Sequence, residues 1–184
     1  MKKHEMMDKS LRYFDALRGI WIGFNRGLYR ESPRKEMEKE CLNGAQRARW
    51  QEAYSIYLGT DDYDEDADTF TALGDILQLL ANVDTCDLRQ PYKDLRDFCR
   101  TVDVPEKDPD VPEFDDIDAN KEKCSMGTVL ENFSKNAFVL MGKGSTLAQT
   151  IKEFPAENPD QLMVQSMDIG ESLGTFLKVG IDFQ

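Results

Sequence analysis

Glycine recurs at positions 19, 23 and 27, and Ser166, Gly170 and Gly174 repeat the same four-residue interval near the other end of the chain. Residues four apart lie on one face of a helix. Each interior glycine costs a helix about 1 kcal/mol relative to alanine. Three in register point to another backbone approaching where side chains are missing; glycines incidental to a surface helix are the alternative. The spacing predicts that the first and last helices of this chain cross closely through their small-residue faces. Such spacing is best known from membrane helices. Here Arg18, Asn25 and Arg26 interrupt the first segment, and no apolar run approaches the length of a bilayer crossing, so the chain is not expected to span a membrane.

The apolar pattern predicts an all-α fold, a single domain over 1–184 built as a bundle of about six helices. Phe14, Leu17, Trp21, Phe24 and Leu28 alternate three- and four-residue steps, which predicts a helix from Met6 to Tyr29. Ser32-Pro33 reads as an N-cap and first helical position, opening a second helix to Leu58 that Gly59 ends. A third starts at Asp68 or Thr69, with Phe70, Leu73, Ile76, Leu77, Leu80 and Val83 on its apolar face. A shorter one starts near Pro91 and carries Tyr92, Leu95, Phe98 and Cys99. Residues 102–120 hold three prolines among many acidic residues, which excludes a helix and predicts a long acidic loop. Loops of that length inside a domain are usually functional or disordered. A fifth helix is expected from Lys121 to Met141, ended by Gly142 and Gly144. Ser145 caps a short helix to Phe154, and Asn158-Pro159 opens the last, with Asp160 placed well for the helix dipole. No segment alternates strongly enough to be a strand.

Charge is unevenly spread. The chain carries 23 Lys and Arg against 35 Asp and Glu, net −12. Residues 1–60 are net +4, residues 61–120 net −14 and residues 121–184 net −2. An acidic field repels phosphate backbones, so nucleic acid is not an expected partner. The N-terminus, Met1-Lys2-Lys3-His4-Glu5, lacks the apolar stretch of a secretory signal.

The residues for most catalytic chemistry are missing. His4 is the single histidine, which removes most nucleophile–histidine arrangements and catalytic zinc sites. Gly142-Lys143-Gly144-Ser145 only superficially resembles a phosphate loop, because a helix rather than a strand precedes it. Cys41, Cys86, Cys99 and Cys124 include no close pair of the kind structural zinc requires. Two disulfides or four buried thiols remain. Pairing Cys86 with Cys99 fits worst: a helix of about nine residues holds its ends roughly 13 Å apart, against a Cα separation of about 5.5 Å in a disulfide. Cys41–Cys86 with Cys99–Cys124 is the preferred arrangement. It favours an oxidising compartment over the cytosol. Asp64, Asp66, Asp68 and Asp75 match ligand positions of a calcium loop, though Thr69 stands where glycine is needed. A solvated charge run is the plainer reading. Asn132-Phe133-Ser134 is formally a glycosylation sequon, set within an expected helix.

Gly23-Phe24 with Gly27-Leu28-Tyr29, then Cys41-Leu42 and the cysteines near the middle, then Leu130-Glu131-Asn132, and finally Ile169-Gly170 with Leu173-Gly174, follow one another in order along most of the chain. In this the chain resembles a loose group of uncharacterised cysteine-containing helical proteins abundant in ciliated protists. The resemblance implies no enzyme activity, and it is compatible with accessory subunits of large assemblies, mitochondrial ones included. The leading expectation is a non-catalytic structural or accessory subunit that packs against other protein subunits and needs no cofactor. One alternative is a helical carrier of a small apolar ligand, in which Met126, Met141, Met163 and Met167 would suit an adaptable pocket. Another is a calcium-binding module using Asp64, Asp66, Asp68 and Asp75.

Overall fold

A computed structural model describes residues 3–29, 35–59, 65–100 and 124–183, apart from the side chains of residues 35–37, 65–70, 82 and 83. The described residues form eight α-helices and one 3₁₀ turn, with no strand among them. Helix α1 (Lys3–Leu28) and the last helix, α8 (Pro159–Ile181), are the longest and pack together most extensively. They run parallel, because Gly19, Gly23 and Gly27 meet residues 163–166, 167–171 and 171–175 in ascending order. A Cβ on Gly23 would overlap the Met167 carbonyl oxygen and stand 2.9 Å from the Glu171 nitrogen. One on Gly170 would overlap the Ile20 carbonyl and stand 2.7 Å from the Phe24 nitrogen. Gly27 and Gly174 face the backbone at Glu171 and Phe24 in the same way, and a Cβ on Gly19 would stand 2.5 Å from the Cβ of Ser166. Where a side chain would stand, each of these four central glycines directs a Cα hydrogen at a carbonyl oxygen, the geometry of a Cα–H···O contact. Ser166 is fully buried, and its hydroxyl donates to the Leu162 carbonyl of its own helix at 2.7 Å, so a polar atom sits in the seam at no desolvation penalty.

Side chains close both ends of this pair. The Arg12 guanidinium donates to the Pro155 and Ala156 carbonyls at 3.3 and 2.7 Å, and Lys178 donates to the Leu28 carbonyl at 3.3 Å. Asn158 caps α8 by accepting from the Asp160 and Gln161 N–H groups, with Pro159 at the first helical position. Leu28, Ile181 and Phe183 form a small core against Leu95 and Phe98 of α5 (Arg89–Arg100) and Val129 of α6 (Met126–Lys135).

Two helix boundaries differ from the sequence reading. The stretch expected as one helix to Leu58 is α2 (Lys35–Glu40) and α3 (Gly44–Leu58), broken at Cys41–Asn43. Leu42 takes a left-handed conformation (φ 46°), and Asn43 with Gln46 makes a capping box that starts α3. Arg18 of α1 donates to the Cys41 and Glu38 carbonyls at 3.1 and 3.2 Å, which satisfies the end of α2. Apolar periodicity runs through this break and hides it. Further on, α7 (Ala137–Glu153) begins after a break at Asn136 and then runs unbroken through Gly142, Gly144 and Ser145. Nothing lies within 4 Å of a Cβ built on Gly142, so that glycine neither turns the chain nor admits a neighbour. Residues 101–123, including the acidic loop expected over 102–120, lie outside the described residues.

Two disulfides, Cys41–Cys86 and Cys99–Cys124, join Cα atoms 4.4 and 5.4 Å apart, in the pairing preferred from spacing. Loops of this span stabilise by about 4 and 3.5 kcal/mol on the chain-entropy model. The first ties the α2–α3 break to the 3₁₀ turn Val83–Cys86, which follows α4 (Glu65–Asn82). Trp21 of α1 donates its indole N–H to the Cys86 carbonyl at 2.9 Å.

Gly23→Ala should destabilise the protein by about 2 kcal/mol or more by overpacking, although alanine is the better helix former. Gly142→Ala, in open space, should stabilise by up to about 1 kcal/mol. Chemical denaturation of the two variants checks this, and equal effects would remove the backbone contact as the reason for Gly23.

Candidate functional site

Helix α1 uses one face for α8 and turns another toward α3 and α4. Met6, Ser10, Tyr13, Phe14 and Leu17 recur at helical spacing on that second face and line a cavity of about 570 Å³. Trp50 and Tyr54, one turn apart on α3, form its second wall, and Ile76, Leu79 and Leu80 of α4 form the third. Leu42, turned inward by the left-handed link before α3, completes the lining together with Lys9. Phe14 and Leu79 are buried, whereas Tyr13, Leu17, Ile76 and Leu80 are 66, 62, 43 and 63% exposed. The first two belong to a closed floor and the other four to an open, apolar mouth.

Large rings hold the walls apart. Phe14 stacks on Trp50 with centroids 6.1 Å apart, and Trp50 stacks on Tyr54 at 6.1 Å with planes 11° apart. Beside this wall, Arg47 of α3 pairs with Asp15 of α1 at 2.9 and 3.0 Å. Lys3 donates to the carbonyl of Gly59, the left-handed residue that ends α3, at 2.6 Å. These contacts fix α1 to α3 at both ends of the cavity. Among the polar groups in the lining, Ser10 donates to the Met7 carbonyl at 2.9 Å and Lys9 pairs with Glu5 at 3.0 Å, while the Trp50 indole N–H is buried without a hydrogen-bond partner. The lining holds no carboxylate, imidazole or thiol. Such walls can hold an apolar molecule.

The residues singled out from sequence fall elsewhere. Gly19, Gly23, Gly27, Ser166, Gly170 and Gly174 are in the α1–α8 contact. Asp64 lies outside the described residues, as do the side chains of Asp66 and Asp68. The backbone from Glu65 to Asn82 is helical, so Asp66 and Asp75 stand about 13.5 Å apart along an axis. A calcium loop instead curls its ligands round one ion. Asp75 Oδ2 is buried without a hydrogen-bond partner, and no group of three or more His, Cys, Asp or Glu among the described residues could hold a metal. The four methionines do not share a pocket: Met126 and Met141 are exposed, and Met163 and Met167 lie along α8 beside Gly19 and Gly23. Lys143 of the glycine-rich stretch lies on α7 and pairs with Glu171 at 2.6 Å. Asn132 donates its side-chain amide to the Gly180 carbonyl at 3.0 Å, which occupies the nitrogen a glycan would need.

Met6, Ser10, Tyr13 and Leu79 carry no sequence signal that sets them apart, and Trp50 and Tyr54, near one face of the expected second helix, read as its core face. Comparison with known proteins gives no match to a family model, to a curated protein or to a solved structure.

Replacing Ser10 with leucine would extend apolar atoms into this space. The Ser10→Leu protein should be more stable by about 0.5–2 kcal/mol, the usual range for filling a cavity. Calorimetry should show a raised Tm; a lowered one would mean the space is already filled.

Proposed function

We propose that the protein is a non-catalytic binder of a small apolar molecule, held between α1, α3 and α4. The supporting observation is the cavity itself. Its volume of about 570 Å³ lies within the ~300–1,000 Å³ of small-molecule sites. Its walls are apolar and aromatic, and its mouth is open. The two disulfides are consistent with an oxidising compartment, where such a binder would keep its shape without a large core.

A second reading, an accessory subunit of a larger assembly such as a mitochondrial one, is favoured by a separate observation. Met126, Leu130, Phe138, Val139 and Met141 of α6 and α7 are more than half exposed, Phe138 reaching 91%. Exposed apolar surface of this kind marks protein contacts. No helix among the described residues is long and apolar enough to cross a membrane, so a bilayer-spanning segment there is not what hides these side chains.

Titration with the neutral fluorophore N-phenyl-1-naphthylamine separates the two. The binder reading expects one site per chain with a Kd of about 10 μM or tighter, or roughly −7 kcal/mol. Leu17→Glu, which places a charge at the mouth, should weaken binding at least tenfold, and Phe138→Glu on α7 should leave it unchanged. Binding lost through Phe138→Glu but kept in Leu17→Glu would transfer support to the subunit reading.

A further inference from the structure

We infer that the cavity selects an uncharged, flat aromatic molecule over an amphiphile with an ionised head group. This inference rests on the binder reading above and names its ligand class.

The first support is charge. Lys9 is the one charged residue of the lining, and its ammonium lies 3.0 Å from the Glu5 carboxylate one helical turn away. The pair is neutral as a unit. Other cations of α1 are held elsewhere: Lys3 by the Gly59 carbonyl, Arg12 by the Pro155 and Ala156 carbonyls, and Arg18 by the Cys41 and Glu38 carbonyls. Arg47, on the wall helix α3, is bound by Asp15 at 2.9 Å. A carboxylate or phosphate entering the cavity would therefore have to compete with Glu5 for Lys9 while being desolvated, which apolar surroundings penalise heavily. Amines fare no better inside, because the lining offers no carboxylate to receive them.

The second support is shape. Phe14, Trp50 and Tyr54 follow one another with interplanar angles of 29° and 11°, so the α3 side of the cavity carries near-parallel rings. Planar aromatic molecules pack against such rings in offset or edge-on arrangements. The third is size. A two-ring aromatic fits within a cavity of about 570 Å³, which lies in the range of small-molecule sites.

Two fluorophores that share one ring system test this on the full-length, disulfide-bonded protein. N-phenyl-1-naphthylamine is neutral, and 8-anilino-1-naphthalenesulfonate adds a sulfonate. The neutral probe should bind at least ten times more tightly, and naphthalene should displace it at concentrations at least ten times lower than laurate or dodecylamine. Equal or tighter binding of the sulfonate, or better displacement by either charged chain, would overturn the ligand class and leave the cavity as a binding site. If neither fluorophore binds, the binder reading falls as well. Sedimentation of the same samples covers the remaining occupant: a dimer that excludes both probes would mean a second copy of the chain fills the cavity, and would overturn both.

Discussion

The contact between α1 and α8 is made by backbone, and it constrains everything around it. Two helices with ordinary side chains between them pack with axes about 8–10 Å apart and tolerate some sliding. Here Gly23 and Gly27 on one helix and Gly170 and Gly174 on the other interleave so closely that a methyl group at any of them would strike a carbonyl group. The register is fixed to within a residue. Because the helices are parallel and 130 residues separate Leu28 from Pro159, the chain between them must leave one end of the pair and return to the other.

That return path explains the remaining architecture. With its glycine face against α8, α1 has two other faces to engage. One carries Arg18 and Trp21, which hold the carbonyls of Glu38, Cys41 and Cys86 and so anchor the Cys41–Cys86 disulfide. The other carries Ser10, Phe14 and Leu17, and there α3 and α4 lean in without closing. Aromatic rings on α3 hold the helices apart while the Asp15–Arg47 pair and the Lys3–Gly59 hydrogen bond hold them together. The cavity is what those opposing demands leave.

The sequence shows some of this and hides the rest for physical reasons. Helix class is local, and so is the cost of a glycine in a helix, which is why the positions at 19, 23 and 27 and at 166, 170 and 174 stand out unaided. The helix start at Asn158-Pro159 is local too. The break at Cys41–Asn43 is signalled by Asn43 and Gln46, but the apolar pattern continues across it, and only the disulfide and Arg18 make the interruption favourable. Gly142 and Gly144 look like a helix end and are not one, because nothing nearby requires the chain to turn. Which apolar face finds a partner is not local at all. Leu17 lies on the same sequence stripe as Phe14, yet one is 62% exposed at the mouth and the other 7% at the floor. Leu73, Leu77 and Leu130 are likewise half exposed or more, because no described helix covers them. The cavity depends on those long-range placements, so its residues could not be told from core.

Proton NMR tests the backbone seam between α1 and α8 without altering the protein. The Cα protons of Gly23 should show strong nuclear Overhauser effects to the Glu171 amide, and those of Gly170 to the Phe24 amide, matching positions 2.9 and 2.7 Å from where a Cβ would stand. If these cross-peaks are missing, and the glycine protons instead contact only side-chain methyl groups, α1 and α8 do not meet through their backbones and the architecture built on that contact is wrong.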